Sequence, residues 1–338
     1  MTTVLDSLNK ALGQALACDK RVILLGEDIL DPYGGAFKVT RGLSQVYPER
    51  VITTPISEAG IVGVATGMAL RGLRPVAEVM FGDFLTLAAD QLINHAAKFR
   101  FMYNDQARVP LVVRTPMGGR RGYGPTHSQT LEKHFLGAPG LHVLAPCALG
   151  DPGALLLQAI FDDDEPVLFV ENKLLYLLPV QQAAANHEVE IFSGIHKSGY
   201  APTYTLKVRQ APPATLTLTA YGYMVELALQ AMLRLAYEDE LFTELVVPTQ
   251  LAPFELEALW ESLGRTGRLV TLEEGTHDLG WGAEVAARAA EKFGPRLQAT
   301  HRLAALSLPV PASGPLEQAM LPSVEHIIQA CRKIAPHS

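Results

Sequence analysis

The sequence predicts an α/β protein of two doubly wound domains, on three observations. Short runs rich in Val, Ile and Leu alternate with helical stretches through the first half of the chain. Those runs are continuously apolar rather than alternating, as parallel strands covered on both faces are. The rhythm breaks over residues 175–214, which are rich in Pro, Gly and polar residues, and then resumes as a smaller α/β unit. The expected boundaries are a first domain over 1–178, a linker over 179–214 holding at most one hairpin, and a second domain over 215–338.

Element by element, RVILLGED (21–28), RVITT (50–54), PVAEVMF (75–81), VPLVVRT (109–115), LHVLAP (141–146) and PVLFVEN (166–172) read as strands. Helices are expected over 3–18, 57–71, 85–104 and 151–162. In the second half, strands fit 215–221, 244–248, 268–274 and 298–304, and helices fit 224–238, 254–264, 281–293 and 315–333. No short repeat or low-complexity tract interrupts this order.

The composition suits a soluble globular protein: 338 residues, 48% hydrophobic and 19% charged. A net charge of -7 without a basic block argues against a nucleic-acid partner. No apolar run is long enough for a bilayer, and the N-terminus has no apolar core of signal type, so a cytoplasmic location without membrane contact is expected. The three cysteines show no CxxC spacing and read as ordinary thiols.

Three stretches could carry chemistry. In PISEAGIVGVATGMALRG (55–72), Glu58 stands at the head of a neutral apolar run. It is either a first-turn acid favoured by the helix dipole or a buried acid that meets a ligand nitrogen. Ser57 is expected to cap that helix. Gly60, Gly63 and Gly67 share one face, where another backbone could approach closely. The loop MGGRRGYGPTHSQTLEKHF (117–135) leaves the end of a parallel strand, where α/β sheets place their sites. It carries His127, which is either structural or catalytic, the weaker candidate His134, and the pair Arg120-Arg121. In VMFGDFLTLAADQ (79–91), Phe84 is either core or a stacking platform. No GxGxxG, Walker, HExxH or GxSxG motif is present.

Read in order, LLGEDI, GGAFKVTRGL, TTPISEAGIVGVATGMALRGLRPVAE, DFLTLAADQLINHAAKFR, VPLVVRTPMGG, GPTHSQTLEKHF, PGLHVLAP and PVLFVENKLLY resemble the beta subunit of the thiamine-diphosphate-dependent 2-oxo acid dehydrogenases of the pyruvate, branched-chain and acetoin types. The resemblance is dense over 20–178. It continues through GRLVTLEE, GWGAEVAAR and VPASGPLEQAMLPSVEHI. It implies a transketolase-like pyrimidine-binding domain followed by a transketolase C-terminal domain. It also implies a decarboxylating oxidoreductase component that uses thiamine diphosphate as electron sink. On this resemblance Glu58 is the acid that bonds the cofactor's pyrimidine nitrogen. Phe84 stacks on that ring, and His127 assists proton and acyl transfers at the reacting centre.

The family's diphosphate and Mg²⁺ motif, GDG, is absent; GDF stands at 82–84. The resemblance therefore implies an alpha subunit that holds Mg²⁺ and the diphosphate, in an α2β2 heterotetramer, with a lipoyl acyltransferase core as a further partner. A structural K⁺ ion would fall near Leu111, Ala159, Ile160, Asp162 and Asp164. There AIFDDDEP replaces the family's AIxDxNP with one extra residue and no Asn. EGTHDLGWGAE likewise departs from the family's pattern and keeps a second outcome open, an acyloin-forming or transketolase-like carboligase without lipoyl transfer.

Overall fold

In α1 (Val4–Cys18), Leu8, Leu12 and Leu16 recur every four residues and make one fully buried face. The helix starts where Thr3 and Asp6 exchange hydrogen bonds: the Asp6 N–H donates to Thr3 Oγ1 at 3.1 Å and the Thr3 N–H to Asp6 Oδ2 at 3.0 Å. The computed structural model describes residues 2–181, 188–195 and 199–336, and the chain divides into two compact units. The first comprises Met1–Gly118 and His134–Val180; the second comprises Gly119–Lys133 and Gln181–Ser338.

The first unit contains β1 (Val22–Gly26), α2 (Leu43–Val46), β2 (Val51–Thr53), α3 (Glu58–Leu70) and β3 (Arg74–Glu78). Then come α4 (Leu85–Asp90), a π-helical stretch (Gln91–Ala96), α5 (Ala97–Met102), β4 (Val112–Met117), β5 (His142–Leu144), α6 (Pro152–Phe161) and β6 (Val167–Asn172). The strands lie in the order β5-β6-β4-β3-β1-β2, all parallel. Every β4 and β6 residue is buried, so their apolar residues Val112–Val113 and Val167–Val170 run together rather than alternating, and Arg114, Glu171 and Asn172 are buried with them. The helix expected over 85–104 is therefore three consecutive helical pieces. Gly153 lets α6 approach α1 closely: a Cβ there would lie 2.4 Å from the Ser7 carbonyl oxygen.

One ionic network is built into this sheet. Arg114 on β4 donates to Glu171 through Nε at 2.7 Å and Nη2 at 2.8 Å, and to Glu78 through Nη1 at 2.8 Å. Tyr176 O–H donates to Glu171 Oε2 at 2.7 Å. All four residues are buried. Burial pushes the Glu78 carboxyl up, and Arg114 opposes it.

The second unit contains β7 (Val189–Ile195), β8 (Pro202–Val208), β9 (Leu216–Ala220), α7 (Met224–Asp239), β10 (Thr243–Pro248) and β11 (Gln250–Ala252). It continues with α8 (Glu257–Thr266), β12 (Arg268–Thr276), α9 (Trp281–Phe293), β13 (Ala299–Ala305), α10 (Gly314–Met320) and α11 (Val324–Ile334). Its sheet runs β13-β12-β9-β10-β8-β7, parallel from β13 to β10 and antiparallel from β10 through β8 to β7. The hairpin in the stretch expected to connect is thus β7 and β8, and it extends this sheet. Residues 182–187 and 196–198 of that stretch lie outside the described residues.

The single helix expected over 315–333 is two. Leu321 adopts an extended ψ of 147°, Pro322 has no N–H to continue the helix, and Ser323 starts α11 by accepting the His326 N–H at 3.2 Å. Cys18, Cys147 and Cys331 are not joined in disulfides. No helix among the described residues is long and apolar enough to cross a membrane.

Candidate functional site

Three adjacent strands of the first unit, β2, β1 and β3, deliver side chains from their C-terminal ends. Glu58 opens α3 after β2, Glu27 follows β1, and Phe84 ends a short helical turn (Gly82–Phe84) after β3. This is the end of a parallel sheet at which α/β proteins bind ligands.

Glu58 is 4% exposed although it sits in an apolar helix. Ser57 precedes α3 but makes no side-chain cap bond, contrary to the expectation from sequence. The Ser57 N–H instead donates to the Glu27 carboxylate. Glu27 is itself 3% exposed, and its Oε1 meets no hydrogen-bond partner among the described residues. Burial first, and then the charge of Glu58, push the Glu27 carboxyl up to about 7. Two buried carboxyls therefore face each other's fields at the mouth of β1 and β2. Sequence reasoning missed Glu27. The acid in LLGEDI was the signal, but an acid ending a strand is unremarkable until its neighbour is known.

Phe84 is half-buried and belongs to an aromatic chain. Its ring meets Phe81 edge-on at 5.9 Å, Phe81 meets Phe37 at 5.6 Å, and Phe37 lies 5.5 Å from Tyr176. Lys173, fully buried, holds its Nζ 5.2 Å from the Phe81 ring centre. Of the glycine face, Gly63 looks onto the Gln91 side chain and Gly60 onto Ser57, while no described residue comes within 4 Å of a Cβ at Gly67.

His127 belongs to the second unit, as does all of Gly119–Lys133. It is partly buried, and its Nδ1 is 3.0 Å from Thr126 Oγ1. Ser128 beside it is 2% exposed. The glycine-rich start of the loop is bonded to Glu274 and Glu317. Sequence reasoning did not single out either acid. Arg120 is drawn into that arrangement, donating to the Pro322 carbonyl, whereas Arg121 is exposed, as is His134.

Around the residues expected to line a K⁺ ion, several oxygens are already engaged. Ile160 O accepts from Arg74 Nη1 at 2.7 Å, Leu111 O from the Val167 N–H at 2.8 Å, and Asp164 O from the Val109 N–H at 3.2 Å. The Asp164 carboxylate pairs with Arg74 at 3.1 Å and with Arg108. No group of three or more His, Cys, Asp or Glu suited to a metal occurs among the described residues.

Comparison with known proteins agrees with this architecture. The transketolase pyrimidine-binding domain family matches residues 1–178, and the transketolase C-terminal domain family matches 206–327. The chain is 37% identical over 335 residues to the Arabidopsis thaliana mitochondrial pyruvate dehydrogenase E1 component subunit beta-1, covering 98% of this chain and 88% of that protein. It is 35% identical over 337 residues to the Cupriavidus necator acetoin:2,6-dichlorophenolindophenol oxidoreductase subunit beta, covering 97% and 95%. A solved split-gene transketolase, described as an inactive beta4 tetramer, superposes with a TM-score of 0.74 over 99% of this chain and 98% of its own. At 20% identity that likeness shows the fold alone.

Proposed function

The chain belongs to the family of the beta subunits of thiamine-diphosphate-dependent 2-oxo acid dehydrogenases, and from that premise we propose that Glu58, Phe84 and His127 carry its share of an oxidative decarboxylation. It supplies the pyrimidine-binding half of the active site. The carrying observation is Glu58, a buried carboxyl at the head of α3 with the raised carboxyl of Glu27 beside it. These residues fit the pyrimidine half of the cofactor. A buried acid can bond a weakly basic ring nitrogen, and the Phe84 ring offers a stacking surface. When bound, thiamine diphosphate supplies the electron sink for decarboxylation.

Glu58 holds and exchanges a proton at its carboxyl oxygens. Glu27, its carboxyl carried up to about 7 by burial and then by the charge of Glu58, limits the charge that accumulates around Glu58. His127 moves protons at the reacting centre, oriented through its Nδ1 contact to Thr126. The absent GDG motif supports an alpha subunit that contributes Mg²⁺ and diphosphate binding in an α2β2 assembly. A lipoyl arm of an acyltransferase core is the acyl acceptor, and the complex works in the cytoplasm. The residues expected around K⁺ do not fit an open carbonyl cage, because Arg74 already places a positive charge on that set.

Glu58→Gln should abolish turnover of a 2-oxo acid by the complex reconstituted with the alpha chain, while size-exclusion shows assembly intact. Turnover at the wild-type rate would overturn the assignment. Calorimetry on the chain alone should show weak binding of thiamine diphosphate or none, and tight Mg²⁺-dependent binding would refute the divided site.

A further inference from the structure

The backbone of the loop that carries His127 is held by two carboxylates from distant parts of the second unit. Glu274 lies on β12, in the interval where its register with β13 shifts between Leu272 and Thr276. Its Oε1 accepts the Gly119 N–H at 2.6 Å. Glu317, on α10, spans two N–H groups: Oε1 accepts from Arg120 at 2.7 Å and Oε2 from Gly122 at 3.1 Å. Both acids are buried, at 6% and 3% exposure. Charge-assisted bonds of this kind are among the stronger ones available to a loop.

The surroundings leave the loop start little freedom. A Cβ at Gly119 would lie 2.9 Å from Leu321 Cδ1, and one at Gly122 would lie 3.2 Å from the Ala312 carbonyl oxygen. Arg120 adopts a left-handed φ of 67°, unusual for a residue with a side chain. Its guanidinium donates to the Pro322 carbonyl, and its Nε lies 3.7 Å from Glu274 Oε2. The far end of the loop is tied down as well. Tyr221 O–H donates to Glu132, and Lys133 Nζ donates to Thr276 Oγ1 and the Asp278 carbonyl, both at 2.6 Å. His127 lies between these two fastenings.

We infer that Glu274 and Glu317 are positioning residues: they clamp the loop start through its N–H groups and thereby set the placement of the His127 imidazole. The acids do not touch the reacting atoms. Their effect on turnover rests on the role proposed above for His127, whereas the clamp itself does not. A glutamine at 317 has one acceptor where two are used, so its amide nitrogen must face an N–H donor. Glu317→Gln thus breaks one of the three N–H bonds of the clamp with almost no change in volume.

The test pairs two measurements on Glu317→Gln. Amide exchange of the purified full-length chain should be at least about tenfold faster over residues 119–127, with the rest of the second unit unchanged. In the reconstituted complex kcat should fall about tenfold to a hundredfold. KM should change little, and the limb of the pH–rate profile assigned to His127 should move. Unchanged exchange would overturn the clamp. Faster exchange with wild-type kcat and pH profile would overturn the positioning role. A wild-type complex inert toward every 2-oxo acid would overturn the functional reading instead, and exchange on the chain alone would still decide the clamp. Should Glu317→Gln unfold the unit, Glu274→Met, which takes away the acceptor of the Gly119 N–H and the charge facing Arg120, is judged by the same two measurements.

Discussion

Replacing Glu27 with glutamine should make the protein gain stability relative to wild type as pH rises. The Glu27 carboxyl stands at about 7 in the folded chain, against an ordinary value of 4.5. Unfolded, it releases its proton near 4.5; folded, it keeps the proton until about 7. Between those values the folded state binds more protons than the unfolded state, so stability falls through that window and levels off above it. At about 1.4 kcal/mol per pH unit, the full displacement corresponds to about 3 kcal/mol. Glutamine mimics the protonated acid, keeps a carbonyl oxygen for the Ser57 N–H, and does not titrate. Urea unfolding at a series of pH values, at fixed chain concentration, measures the difference. Trp260 and Trp281 both lie in the second unit, so far-UV circular dichroism is the better probe of the first. Because Glu58 is the second cause of the shift, Glu58→Gln should move the window toward lower pH. A stability difference between Glu27→Gln and wild type that stays constant from pH 4.5 to 7 would refute the reasoning.

Arg114→Met should cost about 3–5 kcal/mol, because Glu78 and Glu171 lose the partner that compensates their burial; an unchanged urea midpoint would contradict the network's role. Gly140→Ala should be far more damaging than Gly42→Ala. Both glycines have positive φ, 84° and 85°, but a Cβ at Gly140 would lie 2.1 Å from the Ala97 carbonyl oxygen, whereas no described residue comes within 4 Å of one at Gly42. Gly42→Ala should cost only the backbone term of about 1–2 kcal/mol, and equal losses in thermal unfolding would show that the contact is relieved. Exchanging KCl for NaCl should leave the unfolding temperature unchanged, since Arg74 already donates to Ile160 O and Asp163 O. A K⁺-specific, concentration-dependent rise would show a bound ion after all.

Much of the fold was legible because the signals were local. The buried parallel strands announce themselves as continuous apolar runs, and Leu8, Leu12 and Leu16 fix the buried face of α1. Where reading failed, a local pattern carried two meanings. The hairpin of β7 and β8 is half-exposed and flanked by polar and Pro-rich sequence, so it read as connection rather than sheet. The amphipathic period of residues 315–333 carries through Pro322, whose missing N–H splits α10 from α11. Ser57 has the right residue type for a cap, yet its side chain makes no cap bond; what it does make is a backbone N–H bond to Glu27, a partner that no local window contains. The same holds for the placement of 119–133. The stretch sits in the middle of the first unit's sequence, yet its bonding partners Glu274 and Glu317 come late in the chain.

The buried acids of this protein divide by how their oxygens are satisfied, and that division separates holding from proton exchange. Glu317 spends both oxygens on backbone N–H groups and Glu274 spends one, its other oxygen facing Arg120, so both serve to hold the loop. Glu171 is engaged by Arg114 through both oxygens and by Tyr176, and so holds the sheet's ionic network together. Glu273 accepts the Trp281 and Gly282 N–H groups at 2.8 and 2.9 Å, yet burial outweighs them and carries its carboxyl up to about 7. Proton uptake there would compete with the start of α9. Glu27 differs from all of these. One of its oxygens is buried without a hydrogen-bond partner among the described residues, and burial and the charge of Glu58 carry its carboxyl up to about 7. Among these acids it can take up or release a proton without disrupting a backbone anchor, and it does so next to the residue to which the chemistry is assigned.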